Sequence, residues 1–162
     1  MDEIPETGRT LEVNARLKAD FITQTFGYAC FADDTGLLVD ALNGAPGVFS
    51  ARYAGEQKNA NDNMDKLLAA LGDKTNRKAR FKTVIVLNLK EKQQPFIGIV
   101  EGEITQGKRG KGGFGYDPIF LPAGYDQTFA ELPLIVKNKI GHRGKAMQQL
   151  IDYLKKQQNV TD

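Results

Sequence analysis

Residues 80 to 104 constrain the fold of this chain more than any other stretch. Arg80 to Lys90 and Phe96 to Ile104 both read as strands, and only Glu91-Lys-Gln-Gln-Pro95 separates them. A connector that short joins antiparallel neighbours, because parallel ones need a crossover of a dozen residues or more. In the second strand Ile97, Ile99 and Glu101 share one face, and Phe96 and Val100 the other. Helical patterns stand on both sides of this hairpin. Over 10–26, Thr10 caps a helix whose Leu11, Ala15, Ala19, Ile22 and Phe26 recur at helical spacing, and Gly27 stops it. Asn14 and Lys18 lie one turn apart on another face of that helix. A second helix is predicted over 60–72, with Met64, Leu67, Leu68 and Leu71 as its apolar face, and a last one from His142 to about Gln157.

Further strands are predicted over 28–33 and, as a short second piece, 36–40. A glycine- and proline-rich loop runs from Asn43 to about Gly55. Gln106 to Gly115 reads as a basic, glycine-rich loop, Tyr116 to Leu121 as a short extended piece, and Thr128 as the cap of a short helical turn. The 162 residues contain no repeat, low-complexity tract or linker, so one compact α/β domain is expected over 1–162.

The 22 Lys+Arg against 20 Asp+Glu give a net charge of +2, which argues against a general nucleic-acid binder. The four-residue run Lys108-Arg-Gly-Lys111 reads as a solvated loop by the same reasoning. One cysteine, Cys30, allows neither an internal disulfide nor a multi-cysteine zinc site. No apolar run suits a membrane span and no signal-peptide pattern is present, so a cytoplasmic protein without membrane attachment is expected.

The chemistry concentrates at Phe31-Ala-Asp33-Asp34-Thr35-Gly36-Leu. An apolar stub ends in two adjacent carboxylates. Asp-Asp-Thr-Gly is also ordinary turn chemistry, and acids at the tip of a buried strand are costly unless a cation or a reaction needs them. Magnesium takes oxygen ligands, usually one or two carboxylates plus substrate phosphates, and Asp33, Asp34 and Glu6 supply such acids.

Four blocks together make the chain resemble the inosine/xanthosine triphosphate pyrophosphatase family. They are Ala32-Asp-Asp-Thr-Gly-Leu, Gly44-Ala-Pro-Gly-Val-Phe-Ser-Ala-Arg-Tyr53, Gly113-Phe-Gly-Tyr-Asp-Pro-Ile-Phe120, and Lys137 leading into His142-Arg143-Gly-Lys-Ala. The likeness runs from about Glu6 to about Leu154. It implies an elongated mixed sheet flanked by helices, with two lobes and a nucleotide cleft between them. It implies Mg²⁺-dependent hydrolysis of non-canonical purine nucleoside triphosphates to the monophosphate and pyrophosphate, by a homodimer.

Residue by residue, the resemblance gives Glu6 and Asp34 to the metal and the attacking water, with Asp33 as a further acid. Lys18, in Asn14-Ala-Arg-Leu-Lys18-Ala, faces the triphosphate, with Asn14 and Thr35 beside it. Val13 stands where many relatives carry Glu. Phe114, Gly115, Tyr116 and Asp117 form a base pocket in which the aromatics stack a purine and Asp117 accepts from a base N–H. Lys137, His142 and Arg143 read the base. Arginine is donor-only, so it satisfies the O6 of hypoxanthine or xanthine and opposes the amino group of adenine. Gly141 replaces the usual Ser before the histidine. The family's opening strand and Thr-x-Asn-x-x-Lys phosphate loop have no match near Met1, so an N-terminally truncated chain is expected. Two rival readings follow: a nucleotide-binding remnant without turnover, and a related pyrophosphatase for modified pyrimidine nucleotides.

Overall fold

A computed structural model of the chain describes residues 8–160, and the side chains of residues 8–158. The elements run α1 (Leu11–Phe26), β1 (Cys30–Val39), α2 (Ala60–Leu71), β2 (Lys78–Leu89), β3 (Lys92–Ile104), β4 (Phe120–Pro122), α3 (Leu134–Ile140) and α4 (His142–Val160). Short 3-10 helices occupy Asp40–Leu42, Gly47–Arg52 and Asp117–Ile119. Thr10 accepts from Val13 N at 3.1 Å to start α1, and Gly27 ends it in the left-handed region.

The sheet has the order β1-β2-β3-β4. Every neighbouring pair is antiparallel, where a mixed sheet was expected; among the described residues no parallel pair occurs. The α/β class and the helical flanks are as expected. Three local expectations change. The hairpin turn is tighter, and residues 92–95 belong to β3 with Pro95 opposite Val86. Proline is tolerated there because β4 pairs only with the far end of β3, so its missing N–H breaks no ladder bond. β1 is one strand instead of two, paired one-to-one with β2 from Cys30 to Val39. The glycine in its middle marks a close approach and not a turn: a Cβ on Gly36 would lie 2.5 Å from the Gly47 carbonyl oxygen. Helix α3 falls in a stretch to which the sequence reading assigns no element, and the 3-10 helix at Gly47–Arg52 in one read as a loop.

Both faces of β2 are buried in its second half, which sets the layers. One face carries Phe81, Leu37, Val39 and Val100 against Leu67 and Leu71 of α2. Farther along the strands, Ile85, Leu87 and Phe96 pack on Ala146 and Leu150 of α4. The opposite face packs Val84 and Val86 on Leu11, Ala15 and Ala19 of α1. Alternation along each strand produces this division.

The basic loop is held in place. Lys108 pairs with Asp65 at 2.8 Å and Arg109 with Glu131 at 3.1 Å. Thr128 and Glu131 cap each other, since Thr128 N donates to Glu131 Oε1 and Glu131 N donates to Thr128 Oγ1. Those bonds and the neighbouring Arg109 guanidinium hold the Glu131 carboxyl below the usual carboxylate range.

Candidate active site

Several elements converge on a cavity of about 270 Å³. β1 contributes Thr35 and Leu37, the 3-10 helix Ser50 and Ala51, α2 Asn63, and β2 Phe81. The loop before β4 contributes Phe114 to Asp117, and the start of α4 contributes His142 and Arg143. The two sequence blocks that suggested a base pocket, far apart in the chain, therefore share one cavity.

The aromatic loop owes its shape to Asp117. Its carboxylate, nearly fully buried, accepts from Phe114 N at 3.0 Å and from Lys137 Nζ at 2.5 Å. Gly113, at φ +71, allows this approach, since a Cβ there would stand 2.1 Å from the Asp117 carboxylate. Asp117 is thus occupied in holding its own loop, with one carboxylate oxygen committed to Phe114 N and Lys137 Nζ. Phe114 is 62% exposed. The Lys137 ammonium lies 4.4 Å from its ring centroid and the Arg143 guanidinium carbon 5.5 Å.

His142 lies flat on Phe81, with centroids 4.8 Å apart and planes 13° apart. Burial first, then the positive charges of Arg143, Lys137 and Lys145, push its pKa down to about 3. The imidazole is neutral at working pH. Its Nδ1 is buried without a hydrogen-bond partner among the described residues. A buried polar atom left unpaired costs about 1–3 kcal/mol, so this nitrogen has bonding capacity to give to a water or a ligand.

The acids behave differently from one another. As adjacent residues of an unbroken strand, Asp33 and Asp34 point to opposite faces of the sheet. Asp34 turns to the α1 side, where its Oδ1 lies 3.5 Å from Lys18 Nζ. Lys18 also donates to the Asp33 carbonyl at 2.8 Å. Asp33 is exposed on the other face. Asp34 and Lys18 do not line this cavity, but Thr35, the next residue, does, with its hydroxyl 2.8 Å from that of Thr83. Asn14 is buried, and its Oδ1 accepts from Gly8 N at 2.6 Å, so its carbonyl serves the entry to α1. Glu6 lies outside the described residues. Among the described residues no group of three or more His, Cys, Asp or Glu gathers as a metal cage.

Ser50, Asn63 and Phe81 were not singled out in the sequence. Asn63 carried a signal: it precedes Leu67 by one turn on the apolar face of α2, where a polar residue needs a buried partner. Ser50 stood inside the Gly44–Tyr53 block without a role of its own, and Phe81 carried no signal, since it looks like any strand aromatic.

A sequence profile of the Ham1 family matches residues 1–153. The chain is 69% identical over 153 residues to a dITP/XTP pyrophosphatase of Flavobacterium johnsoniae, covering 94% of this chain and 80% of that protein. It is 63% identical to the dITP/XTP pyrophosphatase of Flavobacterium psychrophilum, covering 95% and 81%. Among solved structures, the Ham1 protein of Staphylococcus aureus superposes with a TM-score of 0.93 at 44% identity, covering 96% of this chain and 82% of that one.

Proposed function

The chain belongs to the Ham1 family, and we propose that it is a pyrophosphatase of non-canonical purine nucleoside triphosphates, those of inosine, deoxyinosine and xanthosine. The products are the monophosphate and pyrophosphate. The observation that carries the reading is the cavity lined by Phe114, His142 and Arg143, with the Lys137 ammonium beside it over the Phe114 ring. It offers an exposed ring for stacking, two cations and an unpaired imidazole nitrogen. A 6-oxopurine presents acceptors to such a set. Adenine presents an amino group there and leaves a donor facing a donor.

Magnesium is the proposed cofactor. The donor chemistry fits, because hard carboxylate oxygens with substrate phosphates are what this ion takes. Asp34 and Glu6 are the residues proposed to hold it. Asp33, the further acid in the expectation, faces away from Asp34 and so does not chelate the same ion with it. When bound, the ion lowers the pKa of water and offsets phosphate charge. The Asp34 carboxylate orients the water and receives its proton as the water oxygen bonds to the α-phosphorus and the α–β anhydride bond breaks, with pyrophosphate leaving. The Lys18 ammonium, already beside that carboxylate, offsets charge on the phosphoryl oxygens. Thr35 links this chemistry to the base cavity, being one residue from Asp34 and part of the cavity wall. The proposed assembly is a cytoplasmic homodimer. Among the described residues no helix is long and apolar enough to cross a membrane.

Pyrophosphate release from inosine, xanthosine, adenosine, guanosine and modified pyrimidine triphosphates tests the reading. Preference for the first two, dependent on Mg²⁺, is expected. Turnover confined to pyrimidines, or tight binding of inosine triphosphate without turnover, overturns it.

A further inference from the structure

We propose that Asn63 is a positioning residue for nucleotide binding: with Tyr116 it fixes the wall of the base cavity formed by the Gly47–Arg52 segment. The inference rests on the functional reading above and adds a residue that touches no reacting atom. Asn63 is 4% exposed and projects from the first turns of α2. Its side-chain amide is turned entirely to backbone. Oδ1 accepts from Ala54 N at 2.7 Å, and Nδ2 donates to Ala51 O at 2.9 Å and to Ser50 O at 3.4 Å.

The Ser50 carbonyl is the junction. It also accepts from the Tyr116 hydroxyl at 2.6 Å, from the aromatic loop across the cavity. The Ser50 hydroxyl meanwhile donates to Gly47 O at 2.6 Å and accepts from Leu37 N at 2.9 Å, which ties the same segment to β1. Three walls of the cavity are thereby pinned to one another through one short segment. Burial pushes the Tyr116 hydroxyl up in pKa, so it remains a neutral donor. A 3-10 segment has weak internal bonding of its own. Without these side chains its carbonyls would need other partners, and the cavity width would fluctuate. A site already held in its bound shape spares the nucleotide the cost of ordering it.

The test compares wild type with Asn63→Ala and Tyr116→Phe, the second removing one oxygen from an otherwise unchanged ring. Steady-state kinetics with inosine triphosphate and calorimetric titration with inosine monophosphate are measured on each. KM and Kd are expected to rise roughly five- to tenfold with kcat within about twofold. The double variant is expected to lose less than the product of the single losses, because both donors act on the Ser50 carbonyl. Arg77→Lys serves as a control. Arg77 donates to Ile104 O and Thr105 O away from the cavity, so that variant is expected to lower Tm with KM unchanged. Unchanged KM and Kd in both Asn63→Ala and Tyr116→Phe, or a KM rise in Arg77→Lys matching its Tm loss, overturns the positioning role. A wild type that prefers a different triphosphate overturns the functional reading alone, because the same KM-against-kcat split is then read on that nucleotide.

Discussion

His142 shows how packing can keep one side chain from ionising. Its ring is sandwiched against Phe81 in a cluster of positive charge, with a pKa near 3. The ordinary value is about 6.5. Between these values the unfolded chain binds a proton that the folded chain refuses, so unfolding gains as pH falls. The contribution is intact above about pH 6.5 and is lost progressively toward pH 3, by up to about 1.4 kcal/mol per pH unit. Urea unfolding at pH 7 and pH 5 is expected to show a larger drop for wild type than for His142→Asn. Arg143→Ala is expected to damage discrimination, lowering the preference for inosine triphosphate over ATP by about 1.5–3 kcal/mol. A panel of kcat/KM values checks this, and a retained preference contradicts the role. Asp34→Asn keeps the shape and removes the charge. Pyrophosphate release is expected to become undetectable with Tm within a few degrees of wild type. Near-normal turnover at saturating Mg²⁺ would move the base role elsewhere.

Among the elements, α4 carries His142 and Arg143 at its first turn, and its seat is dictated by a glycine in another element. A Cβ on Gly98 of β3 would stand 2.0 Å from the His142 carbonyl oxygen and 2.7 Å from Ala146 N. Gly98→Ala must therefore push the start of α4 off the sheet. A loss of about 1–3 kcal/mol is expected, with weaker binding of inosine monophosphate. Calorimetry on the variant checks both, and unaltered binding would mean that α4 is seated by other contacts. The sequence made the helices legible where caps and spacing agreed, as at Thr10 and Gly27. It misled where one residue type serves two ends. Gly36 was read as a turn and is a close contact, and Pro95 was read as connector and is strand. The divergence of Asp33 and Asp34 was not legible while the strand was thought to end there. The blocks around Phe114 and His142 were legible as a pocket because side-chain chemistry, more than backbone form, announced them.

For the whole molecule, β2 is the shared spine. Its two faces serve the α1 layer and the α2 and α4 layers at once. Neither layer keeps its core if the other separates, so unfolding is expected to be a single transition, coincident by far-UV and near-UV signals. Val84→Ala, a fully buried change on the α1 side, is expected to cost about 1–3 kcal/mol. It should shift both signals together, though the aromatic cluster lies on the opposite face. Separate transitions would show that the layers are independent.

The unbroken pairing of β1 with β2 has a consequence for how such a gene can change. Ten consecutive residues, Cys30 to Val39, each face one partner. Letters can be exchanged along this stretch one at a time, each with a local effect. Its length has no such freedom. Adding or deleting one codon near Phe31 would exchange the sides taken by every residue up to the change. Were the slip to run through Thr35, the acid beside Lys18 and the hydroxyl in the base cavity would trade places in a single step. Descent with modification in this segment is therefore expected to proceed by substitution, with insertions and deletions confined to the turns beyond it.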